Sequence, residues 1–184
     1  YRSQSVNVSA IIEIMRILHL TPYFAPAYAF GGVVRSVEGM TQALAQRGHS
    51  VSVLTTDALD QQHRYDGPPE SVHQGVQVVR ARNLLPGLRG RFNLSTPQHL
   101  AATARELLAQ ADVVHCHEFR TVENLVVTPL AARMNKGMAL SPHGTLAQGT
   151  GRSALKRGWD RLLSSAVALR FAEVIALSQA ERDD

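Results

Sequence analysis

The sequence of 184 residues holds one cysteine, Cys116, and few aromatic side chains (5%). A lone thiol cannot close an internal disulfide, so the fold does not call for an oxidising compartment. No apolar run approaches the roughly 18 residues of a membrane-spanning helix. Thirteen glycines and eight prolines fall short of a collagen-like or disordered composition. Charged residues are 18% and hydrophobic residues 45%, the balance of a soluble chain able to bury the core of one domain.

Residues 1–14 lack a basic leader and a long apolar stretch, and Glu13 interrupts the isoleucine cluster, so they do not form a secretory signal. Met15 opens a more typical beginning, MRILHL. Residues 1–14 therefore read as a tag or upstream extension, and the cytoplasm is the expected location.

The net charge of +4 is concentrated. Between positions 152 and 170, Arg152, Lys156, Arg157, Arg161 and Arg170 face only Asp160. That stretch, with Leu155, Trp159, Leu162, Leu163, Val167 and Phe171, predicts a basic amphipathic helix. Such a helix can lie on an anionic membrane surface, but an ordinary packed helix with a solvated basic face is the favoured reading. A nucleic-acid binder would spread its basic residues among aromatics, so nucleic acid is not expected as a partner.

Short apolar runs alternate with helical patterns. Strands are expected at Arg16–Leu20, Val51–Thr55, Val76–Arg80, Val113–Cys116, Met138–Ser141 and Val174–Leu177. Most lack polar alternation, as strands covered on both faces of a parallel sheet do. Helices are expected at Val33–Arg47, stopped by Gly48, at Pro97–Ala109 with Thr96 as N-cap, and at Thr121–Met134. Gln61–Glu70 and Leu84–Ser95 read as irregular loops. This alternation predicts a Rossmann-like, three-layer α/β domain with a mostly parallel sheet. Ser178 and Glu181 have capping-box spacing close to the last residue, which suggests the first half of something larger.

Ligands of open α/β sheets bind beyond the carboxyl ends of the strands, and several loops there carry unusual residues. The first strand leads through TPYFAPAYAF to Gly31-Gly32 and a helix start, where free amides suit a phosphate or carboxylate. This is not the tight Gly-x-Gly-x-x-Gly turn of a dinucleotide site, so a nicotinamide or flavin is disfavoured. The fourth run ends in His115-Cys116-His117-Glu118, with both histidines on one face and Cys116, a buried thiol, on the other. His-x-His with Glu118 could hold a metal. No downstream ligand cluster supports that, and no metal is expected. His115 reads as a hydrogen-bonded histidine inside the sheet and His117 as the functional candidate. In Ser141-Pro142-His143-Gly144-Thr145 a turn presents His143 at the same edge. No Gly-x-Ser-x-Gly elbow or Walker phosphate loop is present.

In order and spacing, MRILHLTPYFAPAYAFGGVVRSVEGMTQALAQRGHSVSVLTT, ADVVHCHEF, SPHGTL, the basic stretch and AEVIALSQAE resemble the N-terminal domain of a retaining family 4 glycosyltransferase of the GT-B architecture. The resemblance spans Met15 to Asp184. It implies a Rossmann-like acceptor-side domain facing a second, donor-binding domain, whose Glu-x7-Glu motif this sequence does not contain. It implies Gly31 and Gly32 against the diphosphate of a nucleotide sugar, His117 as the catalytic histidine beside the transferred sugar, and Glu118 and His143 lining the cleft. Ala29-Phe30 stands where relatives often have more glycine, which narrows the entrance. The implied reaction moves a sugar from a nucleotide diphosphate to a hydroxyl of a glycan, lipid or small molecule without a cofactor. The domain alone is expected to be nearly inactive. A GT-B nucleotide-sugar epimerase and a non-catalytic Rossmann-like binding module are the rival readings.

Overall fold

A computed structural model describes residues 13–85, 87–88, 94–145, 158, 167 and 170–176. Among these residues seven strands, β1 (Arg16–Leu20), β2 (Ser50–Thr56), β3 (Glu70–His73), β4 (Val76–Ala81), β5 (Val113–His117), β6 (Gly137–Ser141) and β7 (Glu173–Val174), form one sheet in the order β3-β4-β2-β1-β5-β6-β7. All neighbours run parallel except β3, which pairs antiparallel with β4. The expected Rossmann-like α/β architecture is observed, and it fits half of a GT-B fold.

Period-2 alternation sorts the strand residues between the two faces. Leu18, Leu20, Leu54, Val79, Val114 and Cys116 pack with α2 (Leu100–Gln110) and α3 (Val122–Arg133) in the larger core. Val51, Val53, Val76 and Val78 pack with Val37 of α1 (Gly32–Gln46) on the other face. The amphipathic pattern of α1 buries Val34, Val37 and Thr41. Gly48, at φ +90°, closes α1: its N–H bonds to Ala45 O (3.0 Å), and that of His49 to Leu44 O (3.2 Å). This is a Schellman stop, which needs a left-handed residue after the helix. Asn135, at φ +52°, closes α3 in the same way.

Two local expectations fail. The second helix starts at Leu100 rather than Pro97, because His99 adopts φ +55°. Thr96 does not cap it. Its N–H and Oγ1 instead bond to Asn83 Oδ1 at 2.6 and 2.7 Å, and Oγ1 accepts from Leu85 N, tying the segment after β4. The polar run read as a loop ends at β3, whose first residue is Glu70. His73 of β3 bonds to Glu38 of α1 at 2.8 Å, and Ser71 accepts from Arg80 at 2.7 Å. The expected basic helix over 152–170 and the capping box at Ser178 lie outside the described residues, apart from Gly158, Val167 and Arg170.

From β1 the chain moves outward through β2 and β4, then returns to β5 on the other side of β1. β1 and β5 therefore flank the point where strand order reverses. In open α/β sheets the loops diverge there and leave a crevice at the carboxyl ends.

Candidate active site at the β1–β5 switch point

Each side of this crevice is built by local rules. After β1, the segment 21–30 folds back so that Tyr23 and Phe30 stack with ring centroids 3.6 Å apart. Gly31 takes φ +95°, ψ −151°, a conformation that side chains disfavour, and Gly32 begins α1. Neither has an atom within 4 Å of where a Cβ would lie, so the turn is open beside the free amides of the first helical turn. A small pocket is lined by Tyr23, Phe30, Val33, Val34 and Glu118, which places the glycine turn next to the residue that follows β5.

After β5, Glu118 at φ +60° turns the chain, and its N–H bonds to Ser141 O at 2.9 Å. The cap of α3 supports this turn: Thr121 Oγ1 accepts from Asn124 N (3.1 Å), while Asn124 Nδ2 donates to Glu118 O (2.6 Å). The turn after β6 is tied to it through Phe119 N to Thr145 Oγ1 (2.8 Å), with His143 at φ +53°. Left-handed conformations at non-glycine residues are uncommon and tend to gather at functional turns. Burial pushes the Glu118 carboxyl up to about 7, with the nearby Glu123 adding to the shift. Near neutral pH this carboxyl can therefore either give or take a proton.

The centre of the site is imidazole. His19 on β1 is in register with His115 on β5. His115 bonds through Nε2 to Ser141 Oγ at 2.8 Å, matching its expected role inside the sheet. His19 Nδ1 lies 2.9 Å from His117 Nε2, and His117 Nδ1 lies 3.0 Å from His143 Nε2. His19 and His117 are fully buried, whereas His143 is half-buried. Both ring nitrogens of His117 are thus bonded within the protein, and His143 is the end of the series nearer solvent. Desolvation holds His19 down to about 3 and His115 down to about 4. It also keeps His117 well below the ordinary imidazole range, helped by the neighbouring rings. All three are neutral at pH 7.

Ring nitrogens of His19, His115 and His117 lie within 4.8 Å of one another. The His19 and His117 planes meet at 10°, with centroids 5.2 Å apart, close to the most that a 2.9 Å nitrogen contact allows. The rings therefore lie end to end with their nitrogens aimed at each other. Zinc ligands instead aim their lone pairs at the metal, at about 2.0–2.1 Å. The geometry is that of an imidazole–imidazole hydrogen bond.

The structure thus brings His117, Glu118 and His143 together, and Phe30 and Val33, which flank Gly31 and Gly32, line the small pocket with Glu118. The sequence reading missed His19 and Asn124. The signal for His19 was its place in MRILHL, where alternation puts it on the face opposite Leu18 and Leu20.

The model of Glycosyltransferase Family 4 matches residues 30–184. The chain belongs to this family. Two relatives are each a GDP-mannose:cellobiosyl-diphosphopolyprenol alpha-mannosyltransferase. The one from Xanthomonas campestris is 27% identical over 172 residues, and the one from Xanthomonas oryzae pv. oryzae (strain PXO99A) 28% over 172 residues. Each match covers 92% of this chain and 42% of the relative, so this family 4 chain spans less than half of their length. Among the described residues of the family 4 chain, no helix is long and apolar enough to cross a membrane.

Proposed function

We propose that this chain is the acceptor-side half of a glycosyltransferase that moves a sugar from a nucleotide diphosphate donor to an acceptor hydroxyl with retention. The observation that carries the reading is the small pocket at the switch point, where Phe30 and Val33 on either side of Gly31-Gly32 face Glu118, the residue next to the bonded His117–His143 pair. The amides that open α1 suit the donor diphosphate. The imidazole pair of His117 and His143 serves the reacting centre beside the transferred sugar. Glu118, poised near neutrality, meets the acceptor or sugar hydroxyls.

The two relatives named for GDP-mannose and a cellobiosyl-diphosphopolyprenol acceptor support a mannosyl donor and a lipid-linked glycan acceptor. Such a substrate belongs to bacterial polysaccharide or glycolipid synthesis at the cytoplasmic face of a membrane. The basic stretch 152–171 is the proposed contact with that surface. No metal or organic cofactor takes part. Because half of the cleft belongs to a donor-binding partner domain, the 184 residues alone turn over little substrate.

Calorimetric titration of the full-length protein with UDP-, GDP- and ADP-sugars tests this. Saturable binding of GDP-mannose, lost in the isolated 184 residues, is the expected result. Failure of the full-length protein to bind any of them overturns the reading, and epimerisation without an acceptor replaces transfer by isomerase chemistry.

A further inference from the structure

The small pocket at the switch point joins an apolar wall to a carboxyl that has no bond of its own. Tyr23, Phe30, Val33 and Val34 line it, and Glu118 is the one acidic residue among them. The Tyr23 and Phe30 rings lie flat on each other, with planes 4° apart, so that side is packed and apolar. Glu118 is tied through its backbone, by its N–H to Ser141 O and its carbonyl oxygen to Asn124 Nδ2. Its carboxyl makes no hydrogen bond with the described residues. A carboxyl among apolar neighbours without a partner costs free energy until one is supplied.

Size decides what kind of group can supply it. The pocket holds about 40 Å³, whereas an apolar cavity that takes up benzene measures about 150 Å³ and one water in the liquid fills about 30 Å³. A sugar ring does not enter, but one carbon with its oxygen does. Chemistry narrows the choice further. The apolar wall suits the carbon. A hydroxyl can donate to the carboxylate and accept from the acid, so it pairs with both forms of Glu118 present near neutral pH. An unprotonated phosphate oxygen can only accept and an ammonium can only donate, so each pairs with one form alone. A methyl group fills the space and leaves the carboxyl unpaired.

We propose that this pocket receives the exocyclic hydroxymethyl group of a hexopyranose, with its CH2 against Phe30, Val33 and Val34 and its hydroxyl on the Glu118 carboxyl, so that Glu118 selects hexoses over their 6-deoxy forms. The sugar chemistry rests on the proposed transferase function. Both the transferred sugar and the outer sugar of the acceptor can present such a group.

Values of kcat/KM for the full-length protein test this with two substrate pairs. The donor pair is GDP-mannose and GDP-6-deoxymannose, each with cellobiosyl-diphosphopolyprenol as acceptor. The acceptor pair is that lipid and its analogue with 6-deoxyglucose as the outer sugar, each with GDP-mannose. In wild type the 6-deoxy member of one pair is expected to be poorer by about tenfold to a hundredfold, as for loss of a hydrogen bond to a charged group. A penalty in the donor pair assigns the pocket to the transferred sugar, and one in the acceptor pair assigns it to the acceptor. Transfer with no penalty in either pair overturns the proposal and leaves the transferase reading standing. Absence of any transfer overturns that reading and takes the pocket assignment with it.

Two variants tie the penalty to the pocket. Glu118→Gly suits the φ of +60° and removes the carboxyl. It is expected to erase the difference within the penalised pair by slowing the hydroxymethyl substrate alone. A difference that survives in folded Glu118→Gly protein overturns the proposal. Val33→Phe fills the pocket from α1 and decides the matter if the first variant does not fold. It is expected to slow both members of the penalised pair while sparing the pentosyl counterpart, which has no sixth carbon to place. Equal slowing of hexosyl and pentosyl substrates in folded Val33→Phe protein overturns the proposal as well.

Discussion

His19 and His117 lie end to end, Nδ1 of the first 2.9 Å from Nε2 of the second, across the two strands that flank the switch point of the sheet. The pairing is set by register. His19 stands opposite His115, and alternation puts His117 on the same face one step nearer the carboxyl edge. Both rings are fully buried, and desolvation holds them neutral, so the contact joins two neutral groups. His117 thus carries this buried contact directly to the Glu118 turn that follows β5.

The neutrality of these rings has a cost in acid. An unfolded histidine takes up a proton below about pH 6.5, whereas His115 in the fold holds out to about 4 and His19 to about 3. Folded pKa values lie below unfolded ones, so this contribution is intact above pH 6.5 and is lost as pH falls through that window. Each such histidine costs about 1.4 kcal/mol per pH unit. Replacement His115→Asn is therefore expected to flatten the dependence of stability on pH between 6 and 4.5 by about that slope. Urea titrations at three pH values measure it, and an unchanged slope would mean that His115 is charged in the fold.

Glu118 works with the opposite sign. Its folded value of about 7 lies above the ordinary 4.5, so the fold favours the acid form, and stability from this group declines as pH rises from 4.5 to 7. Replacement Glu118→Gln keeps the shape and removes the ionisation. Relative to wild type, the variant should gain stability with rising pH, by at most about 1.4 kcal/mol per pH unit, and level off above pH 7. Thermal melts at pH 5 and pH 8 provide the comparison. A constant difference between the proteins would place the Glu118 carboxyl in water.

Much of this was legible because parallel strands announce themselves. Arg16–Leu20 was read with both ends in place, since an apolar run bounded by polar residues has few other uses in such a chain. β3 was missed because an edge strand with one partner carries mixed residues, and Val72 is exposed there. Thr96 misled because Thr-Pro is a good helix start locally, and only the tertiary bond to Asn83 reveals its other use. At the site, the strand ends pointed to His117, Glu118 and His143. His19 could not be tied to them, because its partner is 98 residues away and only the β1–β5 register brings them together.

Arg80 holds the first loop in place. Its side chain is buried on β4, donating to Ser71 Oγ at 2.7 Å and to Ala25 O at 2.9 Å, with the guanidinium 4.2 Å from the centre of the Tyr65 ring. Replacement Arg80→Met keeps bulk but leaves the Ala25 carbonyl without its donor, which is expected to destabilise the protein by about 1–3 kcal/mol. Arg80→Lys should recover little, because a single ammonium cannot make the forked contact and stack as well. Denaturation midpoints of the two variants test this, and full recovery by lysine would show that charge alone is required.

The two glycines at the head of α1 should part company on substitution. Gly31 sits at φ +95°, so Gly31→Ala forces a strained backbone and is expected to cost about 1–2 kcal/mol. Gly32 is a helical residue with open space around it, and Gly32→Ala should leave stability unchanged or raise it by about 0.4–1 kcal/mol. If the donor diphosphate rests on this turn, that added methyl intrudes on the ligand rather than on the protein. Gly32→Ala in the full-length enzyme is then expected to raise KM for the nucleotide sugar about tenfold while its melting temperature holds or rises. Unchanged KM in a folded Gly32→Ala protein would move the diphosphate away from the helix start, because no neighbouring group could have absorbed the substitution for it.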